Sequence, residues 1–160
     1  YNAPHTVLAA KEEDMAHYPN LKGKRRTYAA MVHALDRGIG SLVDTLKATG
    51  QYDNTLIVFF SDNGGRTDQG ASNDPLKGHK GDTYEGGYRT PMFFHWPGAV
   101  EAGYQYDHPV TALDFYPTLA RLAKAETPKN KQLDGKDIWD CVLAGKYRYR
   151  LLSRQWFGGT

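Results

Sequence analysis

Leu56-Ile57-Val58-Phe59-Phe60-Ser61-Asp62-Asn63-Gly64-Gly65 sets five large apolar residues against a hydroxyl, a carboxylate, an amide and two glycines. A short unbroken apolar run suits a strand buried on both faces. The polar cluster then falls at the strand's C-terminal edge, where open α/β sheets place ligand sites. Asp62 and Asn63 offer adjacent hard oxygen ligands, and Gly64 and Gly65 let the backbone turn away sharply. The stretch therefore reads as a metal or anion site on an α/β sheet, against the simpler reading of an Asx turn that ends a strand.

Working upstream, Tyr28, Met31, Val32, Leu35, Ile39, Leu42, Val43 and Leu46 recur at three- and four-residue spacing. That pattern predicts an amphipathic helix stopped at Gly50. Gly38 and Gly40 weaken it by ~1 kcal/mol each relative to Ala, which close backbone packing would offset. Helix, short turn and buried strand make an αβ unit of a layered fold. Residues 1–25 carry Pro4, Pro19 and Gly23 and read as irregular.

Downstream, residues 61–90 are polar and Gly-rich, too long for a simple connection. Pro91-Met92-Phe93-Phe94-His95-Trp96 reads as a second strand, ended by Pro97-Gly98. A helix is expected from about Thr111 to Ala125, with Thr111 and Asp114 as a capping box and Pro117 in its first turn. Ile138 to Leu143 reads as a helical turn and Tyr149 to Phe157 as a last strand. No repeat or internal domain boundary is visible.

At 160 residues the chain fits one ordinary domain. With 40% hydrophobic and 24% charged residues, global disorder is excluded. A net charge of +2, without a basic stripe interleaved with aromatics, gives no footprint for nucleic acid. No apolar run approaches the roughly 18 residues of a membrane-spanning helix. The single cysteine, Cys141, has no internal disulfide partner and lies among Ile138, Trp139, Val142 and Leu143, as a small buried residue would. Tyr1-Asn2-Ala3-Pro4-His5 carries no signal-peptide features, and localisation is not legible in it.

Two further places could carry chemistry. Lys77-Gly78-His79-Lys80-Gly81-Asp82-Thr83-Tyr84-Glu85-Gly86-Gly87 combines glycines, which admit close approach, with Lys80, a compact cation for an oxyanion. A solvated loop is the plainer reading. His5 stands beside Pro4, where a structural hydrogen bond is the plainer role.

In this order the segments resemble the type I sulfatases of the alkaline-phosphatase-like superfamily. Asn2-Ala3-Pro4-His5-Thr6 is similar to the family's mid-chain histidine motif. Leu35-Asp36 through Leu46 is similar to the helix before its metal strand, and Val58 to Gly65 to its Ser-Asp-Asn-Gly motif. Lys80-Gly81, Tyr84-Glu85-Gly86-Gly87, Arg89, Pro91 and Trp96-Pro97-Gly98 resemble its lysine motif. Leu113-Asp114, Pro117-Thr118-Leu119 and Leu133-Asp134-Gly135 resemble the stretch that follows.

The resemblance implies part of a three-layer α/β/α sandwich with an incomplete central mixed sheet. Residues 1–160 would be part of a sulfatase catalytic domain, its N-terminal half and C-terminal subdomain lying outside the sequence. Asp62 and Asn63 would be two ligands of Ca2+; Lys80 would bind a sulfate oxygen and help neutralise the leaving group; His5 would contact the sulfate or the bridging oxygen, as an acid. Glu85 and Arg89 would be ion-paired scaffolding. The substrate would be a sulfated small molecule or glycan, and the setting periplasmic, secreted or lysosomal. The family's formylglycine nucleophile arises in a Cys/Ser-x-Pro-x-Arg motif, which this sequence lacks. The alternatives are therefore a non-catalytic fragment, or a cation- or anion-binding domain inactive alone. A phosphatase or phosphonate hydrolase of the same superfamily is disfavoured by Asp-Asn standing in place of an Asp-His zinc arrangement. A sheet without its earlier strands would expose an edge and an apolar face, to be covered by the missing N-terminal half or an oligomer partner.

Overall fold

The computed structural model describes residues 1–146. The strand expected over Tyr149 to Phe157 lies outside the described residues. Contacts divide the chain between Ala99 and Val100 into two compact units, a division with no signal in the sequence. Each is described by itself.

In the first unit, α1 (Glu12–Met15) precedes the long α2 (Gly23–Ala48). The amphipathic stripe on α2 forms as expected at Met31, Leu35, Ile39, Val43 and Leu46, which are half-buried, while Val32 and Leu42 stay exposed. The helix ends where Gly50 adopts φ 68° and donates to the Lys47 carbonyl. Close packing accounts for Gly38, where a Cβ would touch the Tyr1 ring, but Gly40 faces open space. The short α1 falls in the segment expected to be irregular. It is docked by Asp14, whose buried carboxylate receives both terminal nitrogens of Arg37. Arg37 holds the Asp14 carboxyl below its ordinary value, first through these hydrogen bonds and then through its charge.

After a 3-10 turn at Tyr52–Asn54, β1 (Ile57–Phe60) pairs antiparallel with β2 (Met92–His95), Ile57 facing His95 and Phe60 facing Met92. Phe59 and Phe93 stack across the pair at 5.0 Å. Here the structure departs from the sequence reading: β1 is not buried on both faces. Ile57, Val58 and Phe59 are half-buried, and Phe60 and Phe93 are exposed. Two strands with no further layer among the described residues leave those two residues partly open to solvent. The long connection between them is ordered by a 3-10 turn at Thr67–Gln69 and by α3 (Glu85–Tyr88).

In the second unit, a 3-10 turn at Ala112–Asp114 leads into α4 (Phe115–Leu122), with Pro117 in the first turn, and α5 follows at Trp139–Leu143. The expected capping box is present. Asp114, wholly buried, accepts from the Thr111 amide at 3.0 Å and also from the Lys136 amide at 3.0 Å. Thr118 of α4 is buried and accepts from the Ile138 amide at 3.1 Å, tying α5 in place. Cys141 is half-buried, more open than its apolar neighbours imply, because Ile138, Trp139 and Val142 take the inward positions of that turn.

Candidate functional site

The end of β1 is held by the backbone that leads into β2. The Ser61 amide donates to the Pro91 carbonyl at 3.3 Å, and the Thr90 hydroxyl donates to the Ser61 carbonyl at 2.8 Å. Ser61 turns its own hydroxyl onto the Asn63 carbonyl at 2.9 Å. The turn that follows presents Asp62 exposed and Asn63 half-buried, and neither side chain makes a hydrogen bond or ion pair among the described residues.

Gly64 and Gly65 are where this turn meets the lysine loop. The Gly64 amide donates to the Gly87 carbonyl at 2.9 Å, and the Lys80 amide to the Gly65 carbonyl at 3.2 Å. A Cβ on Gly64 would lie inside the Gly86 carbonyl, and one on Gly86 would overlap the Gly78 carbonyl. Glycine is required at both positions by close backbone approach. Gly87 is crowded in the same way by the Asp82 carbonyl.

Asn73 completes the junction and was not singled out by the sequence reading. Its Oδ1 accepts from the Gly65 amide at 2.8 Å, and its Nδ2 donates to the Gly65 carbonyl at 2.9 Å and the Gly78 carbonyl at 3.0 Å. One half-buried amide thus binds both the turn after β1 and the start of the lysine loop. The available signal was Asn73-Asp74-Pro75, a turn sequence lying between two glycine clusters. From α2, Arg25 donates to the Gly70 carbonyl at 2.6 Å and Lys24 to the Asp68 carbonyl at 3.2 Å. Tyr28 of the same helix is half-buried, and that burial raises its phenol above the ordinary value.

Within the loop, Asp82 accepts from the His79 amide at 2.9 Å, and the His79 ring bonds the Lys80 carbonyl at 2.8 Å through Nδ1. The Lys80 side chain is half-buried and has no carboxylate partner among the described residues. Arg89 pairs with Glu85 at 3.3 Å, the scaffolding role expected of them. The structure therefore brings Asp62, Asn63 and Lys80 onto one joined pair of loops. His5 is exposed on a separate turn, where its amide donates to the Asn2 carbonyl at 2.9 Å and its Nδ1 bonds the Thr6 carbonyl at 2.8 Å. No hydrogen bond or ion pair among the described residues links His5 to the other three.

Asp62 and Asn63 present hard oxygens with no internal claim on them, which fits part of a calcium shell. They are two donors where calcium takes about 6–8. Among the described residues no group of three or more His, Cys, Asp or Glu side chains gathers as a metal site. No helix among them is long and apolar enough to cross a membrane.

Comparison with known proteins matches residues 1–125 to the family model described as Sulfatase. Arylsulfatase J of Mus musculus is 40% identical over 146 residues, covering 91% of this chain and 24% of the relative. A crystal structure of Ps i-CgsB in complex with k-i-k-neocarrahexaose superposes with a TM-score of 0.89 at 58% identity, covering 91% of this chain and 33% of that one. The PsFucS1 sulfatase from Pseudoalteromonas sp. gives a TM-score of 0.70 at 39% identity, over 78% of this chain and 26% of that one. The chain thus spans about a fifth to a third of the length of the proteins it matches.

Proposed function

This chain belongs to the sulfatase family, and from that premise we propose that it is the part of a sulfatase that supplies calcium- and sulfate-binding groups for hydrolysis of a sulfate monoester on a glycan. The observation that carries the reading is the junction of the Asp62-Asn63 turn with the Lys80 loop through Gly64, Gly65 and Asn73. Opening a sulfate ester places negative charge on the leaving oxygen and on the sulfate oxygens. The Lys80 ammonium, without a carboxylate partner, offsets that charge at a sulfate oxygen. As an imidazolium, His5 would give the Nε2 proton to the leaving oxygen, which departs as the alcohol, while Nδ1–H stays on the Thr6 carbonyl and the ring is left neutral. Asp62 and Asn63 would contribute two oxygens to a Ca2+ ion, and that ion, when bound, would supply Lewis-acid chemistry at the site. The formylglycine motif is not among these 160 residues, so the attacking group comes from elsewhere.

The glycan is proposed because Ps i-CgsB, 58% identical, was crystallised with a neocarrahexaose. A periplasmic, secreted or lysosomal setting accompanies this reading. The test is an amide-resolved NMR titration of the chain with calcium chloride, sodium sulfate and k-i-k-neocarrahexaose. Calcium is expected to move the amides of Asp62 to Gly65, and sulfate those of His79 to Gly81. Lys80→Ala is expected to abolish the sulfate response. Turnover of an aryl sulfate by the isolated chain is expected to be negligible, and multiple turnovers by pure chain would overturn the division of labour.

A further inference from the structure

An open cleft of about 400 Å³ lies beside the junction, built by the segment between the β1 turn and Lys80. Its lining includes Thr67, Ser72, Asp74, Leu76, Lys77 and His79. That volume falls within the roughly 300–1,000 Å³ of small-ligand sites. It belongs wholly to the first unit, and its wall ends at His79, one residue before Lys80.

The groups lining the cleft are mixed in sign. Asp74 takes the Ser72 hydroxyl on Oδ2 at 2.6 Å, and its Oδ1 has no partner among the described residues. The Lys77 ammonium sits 4.0 Å over the Tyr84 ring and pairs with no carboxylate among them. His79 spends Nδ1 on the Lys80 carbonyl, and its Nε2 stands 3.9 Å from the Asp82 carboxylate. The Thr67 hydroxyl is uncommitted among the described residues, and Leu76 adds an apolar wall. The Asn73 Nδ2 donates to two backbone carbonyls and its Oδ1 accepts one backbone amide, so the side chain holds the cleft's shape and has no donor left for a ligand.

One carboxylate, one ammonium, hydroxyls and an apolar wall do not suit a second sulfate, which would want an excess of positive charge. They suit neutral sugar hydroxyls, each of which both donates and accepts. We propose that this cleft is a saccharide subsite: it takes the hydroxyls of an unsulfated part of the glycan while Lys80 takes the ester sulfate. The proposal rests on the glycan sulfatase reading above and deepens it. Asn73 ties the cleft wall at Gly78 to Gly65, and Lys24 and Arg25 hold the carbonyls of Asp68 and Gly70, which lie between the lining residues Thr67 and Ala71, so little ordering is left to be done on binding.

The test follows amide shifts on titrating the chain with three probes: k-i-k-neocarrahexaose, its chemically desulfated form, and sodium sulfate. The hexasaccharide is expected to move Ser72 to Gly78 together with the Lys80 loop. The desulfated form is expected to move Ser72 to Gly78 alone, and sulfate the Lys80 loop alone. Asp74→Asn with Lys77→Met should weaken hexasaccharide binding about tenfold and leave sulfate affinity unchanged, as loss of two direct polar contacts predicts. Both positions are exposed, and the variant's own amide spectrum checks its fold. Hexasaccharide shifts confined to the Lys80 loop, or unchanged affinity in the double variant, would overturn the subsite and leave the sulfate reading standing. Desulfated sugar moving the cleft while sulfate moves nothing would uphold the subsite and sink the sulfate reading. No response to any probe would sink both.

Discussion

Replacing Asn73 by Ala should loosen the loop pair that carries Asp62, Asn63 and Lys80 without touching any of those side chains. The substitution removes three hydrogen bonds, of 2.8, 2.9 and 3.0 Å. The Gly65 carbonyl keeps the Lys80 amide, so it is not orphaned. The Gly65 amide and the Gly78 carbonyl lose the partner the structure gives them. A neutral hydrogen bond contributes about 1 kcal/mol net, and a polar group left dry costs about 1–3 kcal/mol. Because Asn73 is half-buried, water recovers part of this, and the expected loss is about 2–3 kcal/mol. At about 1.4 kcal/mol per tenfold, the Gly65 amide should exchange roughly 30 to 150 times faster in native-state hydrogen exchange. Asn73→Asp separates hydrogen bonding from shape. It keeps Oδ1 but turns a carboxylate oxygen toward two carbonyls, so it should loosen Gly65 at least as much at pH 7. Below about pH 4 the carboxyl protonates and can donate again, and protection should partly return. Gly65 protection within twofold of wild type in the Ala variant would refute the reasoning. So would an Asp variant indistinguishable from wild type at pH 7.

Gly64→Ala should cost about 4 kcal/mol or more, since the added Cβ meets backbone that has no way to move aside. Gly81→Ala, at φ 97° but in open space, should cost only about 1–2 kcal/mol, and urea midpoints compare the two. Asp114→Ala strips the buried capping box and the Lys136 amide of their acceptor and should cost about 2–4 kcal/mol, against about 1 kcal/mol for Thr111→Ala. Exchange at the Lys136 amide reads the difference. Arg37 lowers the Asp14 carboxyl from 3.8, so the stability it brings is complete above that pH and is lost as pH falls through the lower folded value. Arg37→Ala should destabilise the first unit at pH 7 and flatten the acid limb of stability below about pH 4; an unchanged limb would show that the pair carries no linkage.

Much of this was legible in the chain. The period of Met31, Leu35, Ile39 and Val43 set α2, and Gly50 set its end, because a helix face and a left-handed cap are local properties. The capping box of Thr111 and Asp114 was legible for the same reason. The order of the histidine, Ser-Asp-Asn-Gly and lysine motifs pointed to the family that the comparisons show. Burial was less legible. The apolar run at 56–60 specifies a strand but not what covers it, and Phe60 and Phe93 stand exposed because the two-stranded sheet has no further layer on them among the described residues.

By itself, then, the sequence determined which residue types were available for chemistry and on which local elements they sit. Hydroxyl, carboxylate, amide and ammonium are written in the letters, and turns and helix ends follow from steric rules acting over a few residues. Only the tertiary structure decided that the glycines of two loops, 22 and 23 positions apart, close on one another, that Asn73 joins them, and that a polar cleft results. Those contacts depend on backbone approach between distant segments. A glycine's spelling is the same whether it faces water or, like Gly64, the carbonyl of Gly86.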